Sequence, residues 1–210
     1  MAVKVDKVDK ELMALLYDDG RTTLTSLGEH IAPVLNNDKD KISHVAVQKR
    51  LQKLVENEII KIQANVNIST LNYISAFILI ETREYDAQKR IIERFRLCPR
   101  VVSIDLVSGK YNIIMRAQCT SLKEMESFLS YCWLKQEEGI RNLEIFISTT
   151  NVRPKYMPMP IISAVGKKQI APCGFRCQMC DLYKHKECCG CPATHFSESK
   201  QEEEKEIENH

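Results

Sequence analysis

The stretch at residues 42–60, ISHVAVQKRLQKLVENEII, constrains this chain more than any other. Val47, Leu51 and Leu54 recur at spacings of four and three, which places them on one apolar stripe of a helix. Ser43 stands just before the stripe, where its hydroxyl can cap a free backbone N–H of the first turn. Gln48, Lys49, Arg50, Gln52 and Lys53 cover the remaining surface with amide and basic groups, which suit base edges and phosphates in a DNA major groove. Two more stripes precede this one. Val8, Leu12, Leu15 and Leu16 form the first, and Leu24, Leu27 and Ile31 the second, with Asp18-Asp19-Gly20 as the turn between them. Three short helices with a polar third predict a helix-turn-helix domain. A charged outer face is also what any solvated helix presents, so periodicity alone leaves DNA binding and plain solubility both open.

Composition narrows the classes. A chain of 210 residues holds one large domain or two small ones. The formal net charge is only +2, and the first 61 residues carry ten basic and ten acidic side chains. Affinity for a polyanion must therefore come from local placement of cations, not from bulk charge. No apolar run reaches a membrane span, and MAVKVDKVDK lacks the apolar core of a signal peptide, so a cytoplasmic protein without a membrane partner is expected. In a reducing compartment, nine cysteines argue for metal ligation or redox chemistry over a disulfide scaffold.

Downstream the period changes. Residues 59–66 alternate as a short strand leaving the first domain, and the asparagine-rich residues 65–73 read as a hinge. Residues 74–80 are an apolar strand, and residues 86–96 a helix with Ile91, Ile92 and Phe95 inward. Residues 101–107 and 111–117 are strands joined through Ser108-Gly109-Lys110. Leu122, Met125, Leu129 and Cys132 space out a second helix, and residues 140–148 close with a fourth strand. The order is βαββαβ, a ferredoxin-like α+β domain with helices on one sheet face. Its other face is left bare, which predicts pairing with a second copy. Pro154, Pro158 and Pro160 mark a linker over residues 154–169 that isolates the C-terminal region, and residues 198–210, with six glutamates against two lysines, form an acidic tail.

The residues of the first half carry a resemblance. The pattern D-K-E-L-x-A-L-L at residues 9–16, D-G-R-x-x-L-x-x-L at residues 19–27 and I-S-x-x-A-V-x-K-R-L-x-K-L-x-x-x-x-I-I at residues 42–60 resembles the Lrp/AsnC feast/famine regulators. The match is close over about the first 70 residues and looser over about the next 85. It implies a sequence-specific DNA-binding transcription regulator, with a winged-type helix-turn-helix at residues 1–64, a hinge at 65–73, and a ligand-sensing, oligomerising domain at 74–153. Ser43, His44, Val45, Gln48, Lys49, Arg50 and Lys53 are the DNA-binding candidates: His44, Val45 and Gln48 for bases, and Lys49, Arg50 and Lys53 for phosphates. One departure is an insertion at residues 32–41, about eight residues beyond the family's tight turn.

The resemblance further implies an effector, such as an amino acid, bound near the turn between the second and third strands. Here Gly109, Tyr111 and Asn112 are the matching positions. Lys110 stands where the family carries an acidic residue, Asn112 replaces an aspartate, and Leu143 and Ile145 replace threonines of the last strand. A ligand ammonium group loses its carboxylate partner by that exchange. Partners expected from the resemblance are double-stranded DNA, a second copy of the chain and this effector.

The last region is a cysteine-rich module at residues 170–197. Cys173, Cys177 and Cys180 form a C-x3-C-x2-C triplet; Cys188, Cys189 and Cys191 come next, with His185 and His195 nearby. A segment this short buries too little apolar surface to fold alone, and closely spaced thiolates supply a metal site in its place. The expected ligands are Cys173, Cys177, Cys180, Cys188 and Cys191, with Cys189 spare and zinc the first choice. The triplet also resembles the cluster motif of radical SAM enzymes, which leaves an iron–sulfur cluster as the alternative. Too little chain remains beyond the triplet for such an enzyme's barrel, and no nucleophile or acid–base constellation appears, so no enzyme is expected. Cys98, Cys119 and Cys132 read as core residues. The competing function is an oligomeric metal- or redox-sensing adaptor that recruits a protein and binds little DNA.

Overall fold

The computed structural model describes residues 4–35, 42–131, 134, 137–163 and 168–197. The insertion beyond residue 35, Cys132 and the acidic tail lie outside the described residues. The chain divides into two compact units, residues 1–64 and 65–210.

The first unit is built from α1 (Lys7–Asp18), α2 (Leu24–Ile31), a 3-10 turn (Ala32–Leu35) and α3 (His44–Glu56). Each helix begins at a side-chain cap. Asp6 accepts from the Asp9 N–H at 2.8 Å while Asp9 accepts from the Asp6 N–H, and Thr23 and Ser43 accept from the N–H groups of Ser26 and Ala46. Val8, Leu12, Leu27, Ile31 and Val47 are buried together, with Leu15, Leu16, Leu24 and Leu51 half-buried around them. Helix α3 ends where Glu58 turns left-handed (φ 56°) and the Ile59 N–H reaches the Leu54 carbonyl at 2.9 Å. The expected strand at residues 59–66 is absent, and the described residues of this unit contain only helices. The alternation there was too short to fix a strand without a partner.

The second unit opens with β1 (Val66–Asn67), which pairs antiparallel with β6 (Tyr156–Met157). Ile68, Met157, Met159 and Ile161 bury one another beside that pair, so both the expected hinge and the expected linker are partly structured. Between them lie β2 (Ile74–Thr82), α4 (Tyr85–Phe95), β3 (Val101–Leu106), β4 (Ile113–Cys119), α5 (Leu122–Tyr131) and β5 (Ile140–Ser148). The sheet is antiparallel in the order β3-β4-β2-β5, as the βαββαβ pattern predicts. Period-two alternation sends Ala76, Ile78, Ile80, Ile113, Met115 and Ala117 to one face, where Ile91 and Phe95 of α4 and Met125 and Phe128 of α5 cover them. Phe77 pairs with Phe146 across β2 and β5 on the opposite face, where both rings are exposed. The chain ends in α6 (Pro160–Ser163), a 3-10 turn at Cys177–Met179 and α7 (Asp181–Lys184).

Gly28 marks the tightest approach in the first unit: a Cβ there would sit 2.4 Å from the Ile42 carbonyl oxygen, at the entry to α3. Gly28→Ala should therefore lower the urea midpoint, by about 1–3 kcal/mol of stability. Gly20→Ala, whose added Cβ would meet nothing nearer than 3.7 Å, should stay close to wild type. Circular dichroism at rising urea checks both.

Candidate functional sites

Helix α3 presents the first candidate surface. With Val47 and Leu54 buried, the 3.6-residue period leaves His44, Val45, Gln48, Lys49, Gln52 and Lys53 exposed. Gln52 donates to Glu56 at 2.7 Å, whereas the described contacts leave Gln48, Lys49 and Lys53 projecting from the helix. Ser43 is used as the cap. Arg50 behaves differently from its expected role. Its Nη1 lies 2.8 Å from both Asp6 and Asp9, tying α3 to the start of α1. A guanidinium held by two carboxylates carries no net positive field to offer a phosphate. The basic character in the sequence could not reveal this, because the partners lie more than 40 residues away.

The Asp9 N–H and Arg50 together hold the Asp6 carboxyl below its ordinary value. A depressed carboxylate stabilises the fold above its unfolded pKa and loses that contribution as pH falls through the folded one. Arg50→Ala should cost about 0.5–1 kcal/mol at neutral pH, the scale of a largely solvated ion pair. The difference from wild type should shrink as pH falls below about 4 and through the depressed Asp6 value. Thermal melts at pH 7 and pH 3 measure it.

The turn at residues 107–112 is the second candidate. Asn112 is occupied by its own fold: its Oδ1 accepts from the Thr82 N–H at 3.1 Å and its Nδ2 donates to Thr82 Oγ1 at 2.9 Å. The Tyr111 hydroxyl donates to Glu144 and accepts from Asn142 Nδ2 at 3.2 Å. Lys110 lies 3.7 Å from the same Glu144 and 4.9 Å from the Tyr111 ring centroid. Gly109 is the exposed tip of this turn. Leu143 and Ile145 of β5 pack against the core, away from the Tyr111–Glu144 pair. Glu144 is thus a carboxylate that motif matching missed. It sits on β5, which β2 separates from the β4 end where the resemblance expects one.

The third candidate is the cysteine module, and it is not isolated. Arg94 Nη1 donates to the Cys173 carbonyl at 2.7 Å, Arg100 Nη2 to the Gly190 carbonyl at 2.7 Å, and the Cys189 N–H to Ser127 Oγ at 3.2 Å. These bonds dock the module on α4, α5 and the start of β3, correcting the expectation that the prolines hold it apart. Gly190 has φ 74°, and a Cβ there would meet the Phe196 carbonyl at 2.1 Å, so no side chain fits this bend.

Cys173, Cys177, Cys180, Cys188 and Cys191 all line one cavity of about 80 Å³, floored by Phe95, Phe128 and Arg100. Cys189 is buried elsewhere, and Cys98 packs against the core, as expected, while also lining the cavity wall. Cys119 is a core thiol, pushed up by burial. His195 stacks on Phe196 at 4.0 Å between centroids, and His185 forms the end of α7; neither lines the cavity. Among the described residues, no three His, Cys, Asp or Glu side chains form a group that could hold a metal ion. Burial pushes the Cys191 thiol up to about 12 and raises Cys177 in the same direction. Both therefore stay protonated at neutral pH.

Three capped helices precede a ferredoxin-like sheet in this two-unit protein. Within the second unit, residues 75–157 match the family model of the Lrp/AsnC ligand binding domain. The match ends before Cys173, so the cysteine module lies outside it. The chain is 27% identical over 150 residues to an uncharacterised HTH-type transcriptional regulator of Pyrococcus horikoshii, covering 70% of this chain and 88% of the relative. It is 24% identical over 147 residues to the HTH-type transcriptional regulator LysM of Sulfurisphaera tokodaii, covering 70% and 92%. Over 129 residues it is 26% identical to the DNA-binding transcriptional activator DecR of Escherichia coli, covering 59% and 78%.

Among solved structures, another Pyrococcus horikoshii regulator superposes with a TM-score of 0.62 at 25% identity, covering 72% of this chain and 97% of that one. The leucine response regulatory protein of Mycobacterium tuberculosis shares the fold, with a TM-score of 0.59 at 22% identity, over 74% and 99%. A Neisseria meningitidis regulator solved with L-Met shares it as well, with a TM-score of 0.58 at 21% identity, over 71% and 93%. Homologues of this chain are helix-turn-helix transcription regulators, and it is not an enzyme. Among the described residues no helix is long and apolar enough to cross a membrane.

Proposed function

We propose that this chain is a sequence-specific DNA-binding transcription regulator of the Lrp/AsnC type, carrying an added thiolate-held metal centre. The carrying observation is α3. It is capped by Ser43 and seated by Val47 and Leu54, and it leaves His44, Val45, Gln48, Lys49 and Lys53 exposed. His44, Val45 and Gln48 meet base edges, and Lys49 and Lys53 meet phosphates. Arg50 sets the angle of the helix through Asp6 and Asp9. A gel shift over a series of salt concentrations tests this division. Lys53→Ala should weaken binding to all sequences alike and flatten the salt slope by about one unit. Gln48→Ala should alter preference at one base pair, by about 1–3 kcal/mol. Wild-type protein with no sequence preference would instead favour the adaptor reading.

Self-association belongs to the bare sheet face. Phe77, Leu79, Ile114 and Phe146 share it by register, and Arg116 lies 4.9 Å from the Phe77 ring centroid. Exposed aromatic pairs on a sheet face favour burial against a second copy. Light scattering should show a dimer or larger, and Phe146→Arg should shift it to monomer without loss of secondary structure.

For the effector, Glu144 with the Tyr111 hydroxyl offers the carboxylate and acceptor that an amino acid's ammonium group needs, near the Gly109 turn. Asn112 is committed to Thr82 and shapes that turn.

The donor chemistry of the module suits a thiophilic group, zinc or an iron–sulfur cluster, held by Cys173, Cys177, Cys180, Cys188 and Cys191. What supports this reading is that all five thiols line one cavity.

A further inference from the structure

The thiols of the module do not close their cavity alone. Its remaining wall belongs to the sheet unit: Cys98 and Arg100 in the connection from α4 to β3, and Phe95 and Phe128 of the two helices. At about 80 Å³ the cavity exceeds the ~10–15 Å³ that one water requires, so it has room for several heavy atoms. Five of its cysteines come from residues 173–191, and the sixth, Cys98, comes from a segment 75 residues earlier.

The backbone fixes that sixth thiol. The Cys98 N–H donates to the Phe95 carbonyl at 2.9 Å, and the Cys98 carbonyl accepts from the Val101 N–H at 3.0 Å. A turn tied on both sides holds its side chain in place at low entropic cost.

Two residues on, Arg100 is only 6% exposed. It donates from Nε and Nη2 to Glu124 Oε1, at 2.9 and 2.7 Å, and from Nη2 to the Gly190 carbonyl. Glu124 balances the charge of this guanidinium, so Arg100 acts on the wall as a fixed hydrogen-bond donor that ties Gly190 of the module to the sheet unit.

We propose that Cys98 is a ligand of the metal centre, alongside cysteines of the module, so that the centre bridges the Lrp/AsnC-like domain and the C-terminal segment. This rests on the metal-binding reading above and adds to it a ligand that lies outside the cysteine-rich segment. The bridge makes metal loading a state of the sheet unit itself. Its two anchors are the α4–β3 turn and the module.

The test uses the full chain, purified without oxygen. One portion is supplied with zinc alone and another with ferrous iron and sulfide. Metal and sulfide per chain are measured, and each cysteine is mapped by iodoacetamide labelling and mass spectrometry with and without metal. Loading should shield Cys98 from labelling together with Cys173, Cys177 and Cys191. Cys98→Ser should weaken retention against a chelator at least about tenfold, while Cys189→Ser retains metal as wild type does. A brown protein with acid-labile sulfide identifies the iron–sulfur source, and a colourless one with stoichiometric zinc identifies the mononuclear source. Shielding of Cys98 supports the proposal in either case. Stoichiometric metal with Cys98 labelled as readily as in the metal-free chain would overturn the bridging ligand and leave the metal reading standing. A wild-type chain that retains neither metal would overturn both. Because labelling is read on the wild-type chain, a Cys98→Ser variant that fails to fold does not remove the test.

Discussion

The second unit turns on one buried ion pair. Arg100 and Glu124 are both almost fully enclosed, and neither charge could stay there without the other. Glu124 is further satisfied by the Thr120 N–H at 2.7 Å and hydroxyl at 2.6 Å, which fixes the start of α5 beside the end of β4. Burial pulls the guanidinium toward losing its proton, but the charge of Glu124 acts against that and holds it charged. From this pair a third bond reaches the Gly190 carbonyl, so one guanidinium connects the sheet, the helix layer and the cysteine module. A cysteine-rich segment that could not fold on its own core thus borrows one, with Phe95 and Phe128 beneath it at 6.3 Å between centroids.

That arrangement changes what the C-terminal region can do. A module on a free linker would only add a second binding activity at a distance. One whose cavity wall is made by α4, α5 and the α4–β3 turn shares its stability with the ligand-binding domain. Group binding to such a cavity stabilises both parts together.

The three helices, the βαββαβ order and the capping role of Ser43 were legible in the sequence, because each depends on contacts within a few residues or on a period of 3.6 or 2. The clustering of five module cysteines around one space was legible for the same reason: short spacings joined by turns leave little freedom. The strand expected at residues 59–66 was misplaced, because two residues of strand are decided by their partner, and Val66–Asn67 finds it at Tyr156–Met157, some 90 residues later.

Tertiary structure alone decided which charged groups are available. Arg50 and Lys53 look equivalent on the helix surface, yet Asp6 and Asp9 hold Arg50 while Lys53 stays exposed. Asn112 looked like a ligand contact and is used by Thr82, whereas Glu144 reaches Tyr111 across strands. Cys98 carried no spacing signal because the cysteines that share its cavity are some 75 or more residues away in the chain. Local chemistry and periodicity act through bonds and nearest turns, so a sequence determines them directly. Pairing of charges and thiols over long separations depends on how the sheet, helices and module pack, which only the folded chain sets.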